Sequence, residues 1–344
     1  MHFHQILLFI IHKINGQRSE NAPFYLLKGK KSGQTIQDVT YFQLHAFFSI
    51  LPRLLKEDYD TALHELFKSE FIHLKDSLVY ITEKGIDALP SNQKTLFNGW
   101  QYRGREQLFW KRIDLVVQTL SQFQANEKKF VPNQKDIATQ QFIKDFLIEH
   151  NFRQFNLNND LKREIFQLLE SPFLDDLHRI IFVYRLSGHN KTGLTWEQLA
   201  RYSHLTDMNT KIIFLECLHN MLDNISSETS PLLFDLAKDI YINTPLTESA
   251  FKTSRLFEKG YTMEEIAKIR KLKINTIEDH VIEIVSSNKD FPISSFISRE
   301  QEEKILHLSN ELRTKKLTLI KNHLPDVSYF QVRLALTKGE QNHG

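Results

Sequence analysis

The sequence predicts a mainly α protein: an N-terminal winged helix with one β-hairpin, a helical middle domain and a C-terminal helix-turn-helix domain. Three observations lead there. Glycine and proline are scarce, 11 and 9 in 344 residues, against 26 phenylalanines, a balance that favours packed helices over a sandwich or barrel. Apolar residues recur at spacings of three and four along most of the chain, the period of one buried helical face. One stretch, residues 71–81, alternates with period two instead, as strands do.

From the N-terminus, Ile6 to Ile11 form an apolar run with no basic residue ahead of it and no small-residue cleavage site behind it. It is too short to span a bilayer and reads as a first core helix, Met1 to Ile14, rather than an export signal. Asn15-Gly16 breaks the chain. A second helix is expected from Asn21 to Leu27 and a third from Gln34, carrying Ile36, Val39, Tyr41 and Phe42. Asp58 has the character of an N-cap for Tyr59 to Lys68, with Leu63, Leu66 and Phe67 on the inner face. Phe71–Leu74 and Leu78–Ile81 flank Lys75-Asp76-Ser77 as a hairpin, and Thr82-Glu83-Lys84-Gly85 opens a last helical turn near Leu89. Helix, hairpin and T-E-K-G together give a winged-helix domain over 1–92.

Residues 93–242 are helical by pattern. Tyr102 to Phe123 reads as one long amphipathic helix, Ala125 to Val131 as a loop, and Ile137–Ile148, Asp160–Leu169 and Leu174–Leu186 as further helices. Gly188 and Gly193 have the spacing of a phosphate-binding loop, but Leu194 stands where the lysine must be, so nucleotide binding is rejected. Residues 195–216 instead repeat a helix-turn-helix pattern, with Ala200 at the close approach, Leu205 plugging the turn, and Ile212, Ile213 and Leu215 in the second helix. Asp223 to Ser230 reads as a linker, Pro231 to Ile240 as a helix, and Asn243-Thr244-Pro245 as the boundary to the last domain, 243–340.

That last domain holds the most informative stretch. Thr247 to Glu258 is a helix ended by Gly260. Thr262 and Glu265 have capping-box spacing, Ala267 is the small residue of a close crossing, and Leu272 plugs the turn. Thr276 or Asn275 is the expected cap of the second helix, which buries Ile277, Val281 and Ile284. Glu300–Leu312, Leu317–His323 and Tyr329–Thr337, the last capped by Ser328, complete the domain. The order Phe257, Gly260, Ile266-Ala267, Arg270, Thr276-Ile277, His280 resembles the helicase-associated helix-turn-helix domain found at the C-terminus of some RecQ-type helicases. So does the later Ser328-Tyr329-Phe330-Gln331-Val332-Arg333-Leu334-Ala335-Leu336. The organisation of the whole chain resembles the YpbB-type family of bacterial helix-turn-helix proteins.

Net charge is only +2, so contact with nucleic acid must come from local patches. The candidates are the glycine-flanked loop Lys28, Lys30 and Lys31, with Arg53 and Lys56 as an extension; Arg103 and Arg105, followed by Lys111 and Arg112, interleaved with Trp100, Tyr102, Phe109 and Trp110; Lys271 and Lys273 before the second helix; and Lys315, Lys316, Lys321 and Arg333, with Lys338, at the C-terminus. Interleaved basic and aromatic residues suit single strands, although aromatics so placed also form cores. The expected winged-helix recognition helix is close to neutral, with His64 and Lys68 against Asp60 and Glu65. The second helix of the C-terminal pair carries Glu278, Asp279 and Glu283 and neither lysine nor arginine, an acidic face suited to a protein partner. Arg270 stands where regulators commonly have an apolar residue, and the turn has no glycine.

Chemistry is sought and not found. There is no H-E-x-x-H helix, no G-x-S-x-G elbow and no G-x-G-x-x-G turn. The sole cysteine, Cys217, falls in an apolar run and reads as an inert core thiol. His2, His4 and His12 are too far apart on a helix to share a metal. The expectation is a non-catalytic protein of the bacterial cytoplasm, nucleoid-associated, without cofactor or metal, that grips the DNA backbone weakly. The resemblance implies a RecQ-type helicase as partner, in repair or recombination. A sequence-specific transcription regulator and a pure protein-interaction scaffold stand as alternatives.

Overall fold

The structure is a computed structural model that describes all residues except 91–94, 128, 154–155, 243–245, 289 and 343–344. The expected boundary Asn243-Thr244-Pro245 lies outside the described residues, as does the 92/93 junction. The described residues form nineteen α-helices, one 3-10 turn and one two-stranded sheet. No helix among them is long and apolar enough to cross a membrane.

The N-terminal part runs α1 (Phe3–Ile14), α2 (Ala22–Leu27), α3 (Gly33–Tyr41), α4 (Lys56–Lys68), β1 (Ile72–Lys75), β2 (Leu78–Ile81) and α5 (Glu83–Asp87). The hairpin register pairs Ile72 with Ile81 and Lys75 with Leu78. Asp76 and Ser77 alone close it, with φ of 52° and 61°, the left-handed pair that matches the twist of two antiparallel strands. Thr82 caps α5 through Gly85 N at 3.0 Å. Two expectations for α4 are corrected. The helix starts at Lys56 after an extended Leu55, so Asp58 lies in its first turn beside Glu57 instead of capping it; there the carboxylates face the positive helix end. Phe67 is 49 % exposed, because Tyr59, Ala62, Leu63 and Leu66 already define the inner stripe.

The middle part runs α6 (Gly99–Tyr102), α7 (Glu106–Gln124), α8 (Ile137–Glu149), α9 (Leu157–Leu169), α10 (Asp176–Arg185), α11 (Trp196–Ser203), α12 (Asp207–Asn224) and α13 (Pro231–Ala237). The single helix expected from Tyr102 to Phe123 is two: Arg103 and Gly104 adopt φ of 48° and 87°, and left-handed residues end a helix. The expected linker is in part structured, since α12 extends to Asn224 and Asp223 accepts hydrogen bonds from Tyr102 Oη at 2.5 Å and Asn98 Nδ2 at 2.8 Å. Cys217 is buried, and burial raises its thiol pKa.

The C-terminal part runs α14 (Glu248–Phe257), α15 (Met263–Arg270), α16 (Ile274–Ser287), α17 (Arg299–Glu311), α18 (Leu317–His323) and α19 (Tyr329–Asn342). Thr262 caps α15 by the expected capping box, and Ser298 does the same for α17.

The chain divides into two compact units. One holds residues 1–6 and 90–242; the other holds 7–89 together with 243–344. In the first, Trp110, Phe182, Phe214 and Trp196 form an edge-to-face aromatic core, with Trp110 and Phe214 centroids 4.8 Å apart. Glu216 is buried there, held by the Met1 ammonium at 2.7 Å. In the second unit, α3 packs against both α16 and α19. Gly33 permits this approach: a Cβ there would lie 2.6 Å from Asp279 Oδ1. Tyr41 Oη donates to the Arg333 carbonyl at 2.9 Å, and Gln17 Oε1 accepts from Lys315 N at 2.7 Å. The two ends of the chain therefore share one core.

Ile284, 1 % exposed on α16, lies in that core. Ile284→Ala is expected to lower unfolding free energy by about 2–5 kcal/mol, read by urea denaturation. Because α16 serves both chain ends, amides of 7–89 and of 246–342 should lose exchange protection together; protection retained in 7–89 would separate them.

Candidate nucleic-acid interface

The C-terminal trihelical unit is assembled by local rules. α15 ends where Lys271 turns left-handed at φ 52°, at a cost of about 1 kcal/mol for a residue with a Cβ. Leu272 then donates its N–H to the Ala267 carbonyl at 3.0 Å, and the extended Lys273 starts α16. The cap expected at Thr276 or Asn275 is thus displaced: both lie inside the helix. Arg270, the departure from the apolar norm, reaches across to α14, where its guanidinium donates to the Ser249 carbonyl at 2.6 Å, to Ser249 Oγ at 3.0 Å and to Thr253 Oγ1. Thr253 in turn meets His280 Nδ1 at 2.8 Å. This polar chain ties all three helices together.

α16 is enclosed. Ile277 and every residue from His280 to Ser286 are buried, with α3, α14, α15 and α19 packed around them. Its start is the most open part: Lys271, Lys273, Ile274 and Asn275 are exposed, while Thr276, Glu278 and Asp279 are half-buried. No side chain caps this end and no acid lies in its first turn, so backbone N–H groups and two lysines point the same kind of charge outward.

The acidic residues of α16 are placed differently from the docking face expected of them. Glu283 is 6 % exposed and accepts hydrogen bonds from Thr247 N and, at 3.0 Å, from Thr247 Oγ1, closing the start of α14. Asp279 pairs with Arg333 at 2.7 Å. Glu278 is half-buried, which raises its carboxyl pKa above the usual range.

The basic candidates separate by exposure and partner. Arg333 is taken by Asp279, Lys315 by the Tyr41 carbonyl, and Lys321 by the Pro325 carbonyl at 2.7 Å; Lys338 donates to the Phe291 carbonyl at 3.3 Å. Lys316 is half-buried. In the N-terminal loop, Lys28 is half-buried over the Phe24 ring and donates to the Leu54 carbonyl at 3.2 Å, Lys30 lies 4.0 Å over the Tyr25 ring, and Lys31 is exposed. In the other unit, Arg103 stacks on Trp100 at 4.2 Å and Arg105 donates to the Asp239 carbonyl at 3.2 Å. Arg112 is buried in a bidentate pair with Asp239 and over the Phe142 ring. Tyr102, Phe109 and Trp110 are core residues, so that cluster offers no stacking row.

The helix-turn-helix expected at 195–216 is formed by α11 and α12 with the same backbone device. His204 is left-handed at φ 55°, and Leu205 N donates to the Ala200 carbonyl at 3.0 Å. Its second helix starts differently. Thr206 caps it, Asp207 lies in the first turn, and Lys211 is paired with Asp207. That end is closed to an anion.

Burial, with the Arg270 guanidinium nearby, pushes His280 from 6.5 down to about 4. It is neutral when folded and charged more readily when unfolded, so the stability it confers is complete above pH 6.5 and is lost as pH falls toward 4. Denaturant midpoints taken from pH 7 to pH 5 should fall in the wild type and fall less in His280→Gln. Parallel pH curves for the two would contradict the assignment.

Residues 249–336 match a family model described as a helix-turn-helix domain. Over the full length, the chain is 33% identical to Protein YpbB of Bacillus subtilis (strain 168), with 99% of each chain covered. No solved structure matches. An identity of this extent, with the helix-turn-helix match, places the chain in the YpbB family of helix-turn-helix proteins.

Proposed function

We propose that the protein is a non-catalytic DNA-associated accessory factor that holds the phosphate backbone through the open start of α16 and works beside a RecQ-type helicase in repair or recombination. The observation that carries the DNA part is the enclosure of α16. A helix-turn-helix that reads sequence lays its second helix in the major groove; here that helix is buried from His280 to Ser286, and its most exposed part is the uncapped first turn with Lys271 and Lys273. Such an end meets a phosphate, which carries no sequence information. This favours backbone binding over the sequence-specific regulator. Lys31 is a further exposed lysine of the same unit. The helicase partner rests on the resemblance of the 245–340 region to the helicase-associated domain. The bacterial cytoplasm, at the nucleoid, is where such a factor would act.

Anisotropy of labelled duplex and single-stranded DNA against the full chain tests the first part. Affinity should fall steeply with salt, and Lys271→Ala/Lys273→Ala should reduce the slope of log affinity against log salt by about 2 on duplex, evenly across sequences. No binding at low salt would leave a scaffold, and a sharp preferred motif from a random pool would leave a regulator. Co-purification and DNA-dependent ATPase assays with the cognate RecQ-type helicase test the second part; no complex and no change in unwinding would end it.

A further inference from the structure

The helix-turn-helix domain holds a second feature, away from the lysines. A groove of about 900 Å³ lies between the end of α14, the start of α15 and residues 288, 290–292 and 295–296. Its floor is aromatic. Phe257 stands edge-on to Phe291 and to Phe296 at 5.8 Å each; Phe291 and Phe296 stack at 6.3 Å with 10° between planes, and Phe296 meets Phe330 at 6.0 Å. Phe257, Phe291 and Phe296 remain half-exposed, although clustered aromatic rings ordinarily seek full burial. Gly260 keeps the mouth wide: it sits at φ +86° with nothing within 4 Å of where a Cβ would be.

The rim is acidic. Glu258, Glu264 and Asp290 border the groove, and no lysine, arginine or histidine is among its described lining residues. Glu258 shares its charge with Arg255 at 3.0 Å in an exposed pair. Glu264 and Asp290 are exposed and in no ion pair among the described residues. Arg255 beside Glu258 and Lys338 on the Phe291 carbonyl are the neighbouring cations; the exposed carboxylates of Glu264 and Asp290 beside an apolar floor favour a cationic occupant with an apolar anchor.

We infer that this groove docks a segment of a partner protein: a short peptide that inserts an aromatic or large aliphatic side chain onto Phe257, Phe291 and Phe296 and sets lysine or arginine against Glu264 and Asp290. Anchors of this kind in partly desolvated pockets dominate binding energy at interfaces. The inference does not depend on DNA binding, because it uses other residues.

The test uses the full chain and three labelled synthetic peptides: a phenylalanine flanked by lysines, the same phenylalanine flanked by glutamates, and the lysine peptide with serine for phenylalanine. The first should bind, with the other two weaker by about tenfold or more. Glu264→Lys/Asp290→Lys changes exposed residues only and should weaken the first peptide by about tenfold at low salt, while DNA binding through Lys271 and Lys273 is not reduced. Phe296→Ala should weaken it further, with circular dichroism and melting confirming that the variant folds. Equal binding of all three peptides would overturn the inference. So would full affinity in the charge-reversed chain, displacement of the peptide by a single-stranded oligonucleotide, or a self-association that the variants abolish.

Discussion

The second unit depends on the burial of one helix on every side. Seven consecutive residues of α16, His280 to Ser286, are buried, about two full turns, so no lateral face is left for solvent. The helix is held because α3 reaches it from the other end of the chain, with Gly33 giving way to Asp279 and with the Tyr41 hydroxyl on the Arg333 carbonyl. To present α16 to a DNA groove, the unit would have to expose Ile277, Val281, Ile282, Ile284 and Val285. At about 1.5–3 kcal/mol for each side chain, that loss is as large as the return from several bidentate base contacts at about 1–3 kcal/mol each. The packing of α16 therefore disfavours its insertion into a groove.

Legibility in the sequence tracks the range of the interaction. The Thr262 box and the Gly260 stop depend on residues within a few positions and stand where the sequence places them; the hairpin does too, except that Lys75, expected in the turn, is paired with Leu78 in the first strand. The winged-helix order and the helix-turn-helix spacing are likewise local patterns. The environment of α16 is not local. Its neighbour α3 is more than two hundred residues away, so Glu283 reads as a surface acid until Thr247 is found against it. Arg112 was hidden in the same way: a charged residue in an amphipathic run reads as solvated, and only the Asp239 carboxylate, 127 positions on, accounts for its burial. The aromatic groove left a trace, Phe291 and Phe296 within one short segment, but such a pair reads as core unless the space over it is known.

The two helix-turn-helix pairs show how little of the motif concerns DNA. Both use a left-handed residue, then a leucine whose N–H returns to an alanine carbonyl at 3.0 Å. That device fixes the crossing of two helices and nothing else. The pairs differ at the start of the second helix. A threonine caps α12 and an aspartate sits in its first turn, whereas a lysine precedes α16 and its first turn holds no acid. Free N–H groups beside lysines attract an anion; capped ones beside a carboxylate repel it. The motif gives the geometry, and two residues at the helix start give the chemistry.

α15 unites both halves of this domain's behaviour. It carries Glu264 and Glu265 in its first turn and Lys268 and Arg270 in its last, with Lys271 and Lys273 just beyond. Each charge opposes the partial charge of the nearer helix end, so the arrangement stabilises the helix by some tenths of a kcal/mol per residue. The same arrangement makes the domain bipolar over a helix of eight residues, about 12 Å long. The acidic pole lies at the aromatic groove and the basic pole at the start of α16. That separation is about one and a half Debye lengths at physiological salt, so a cationic segment at one pole and a phosphate at the other are largely screened from each other. A net charge of +2 conceals this division, because the opposing charges cancel in the sum while remaining apart in space. The arrangement thus meets one physical requirement of the proposed function, that ligands of opposite sign not neutralise each other on one small domain.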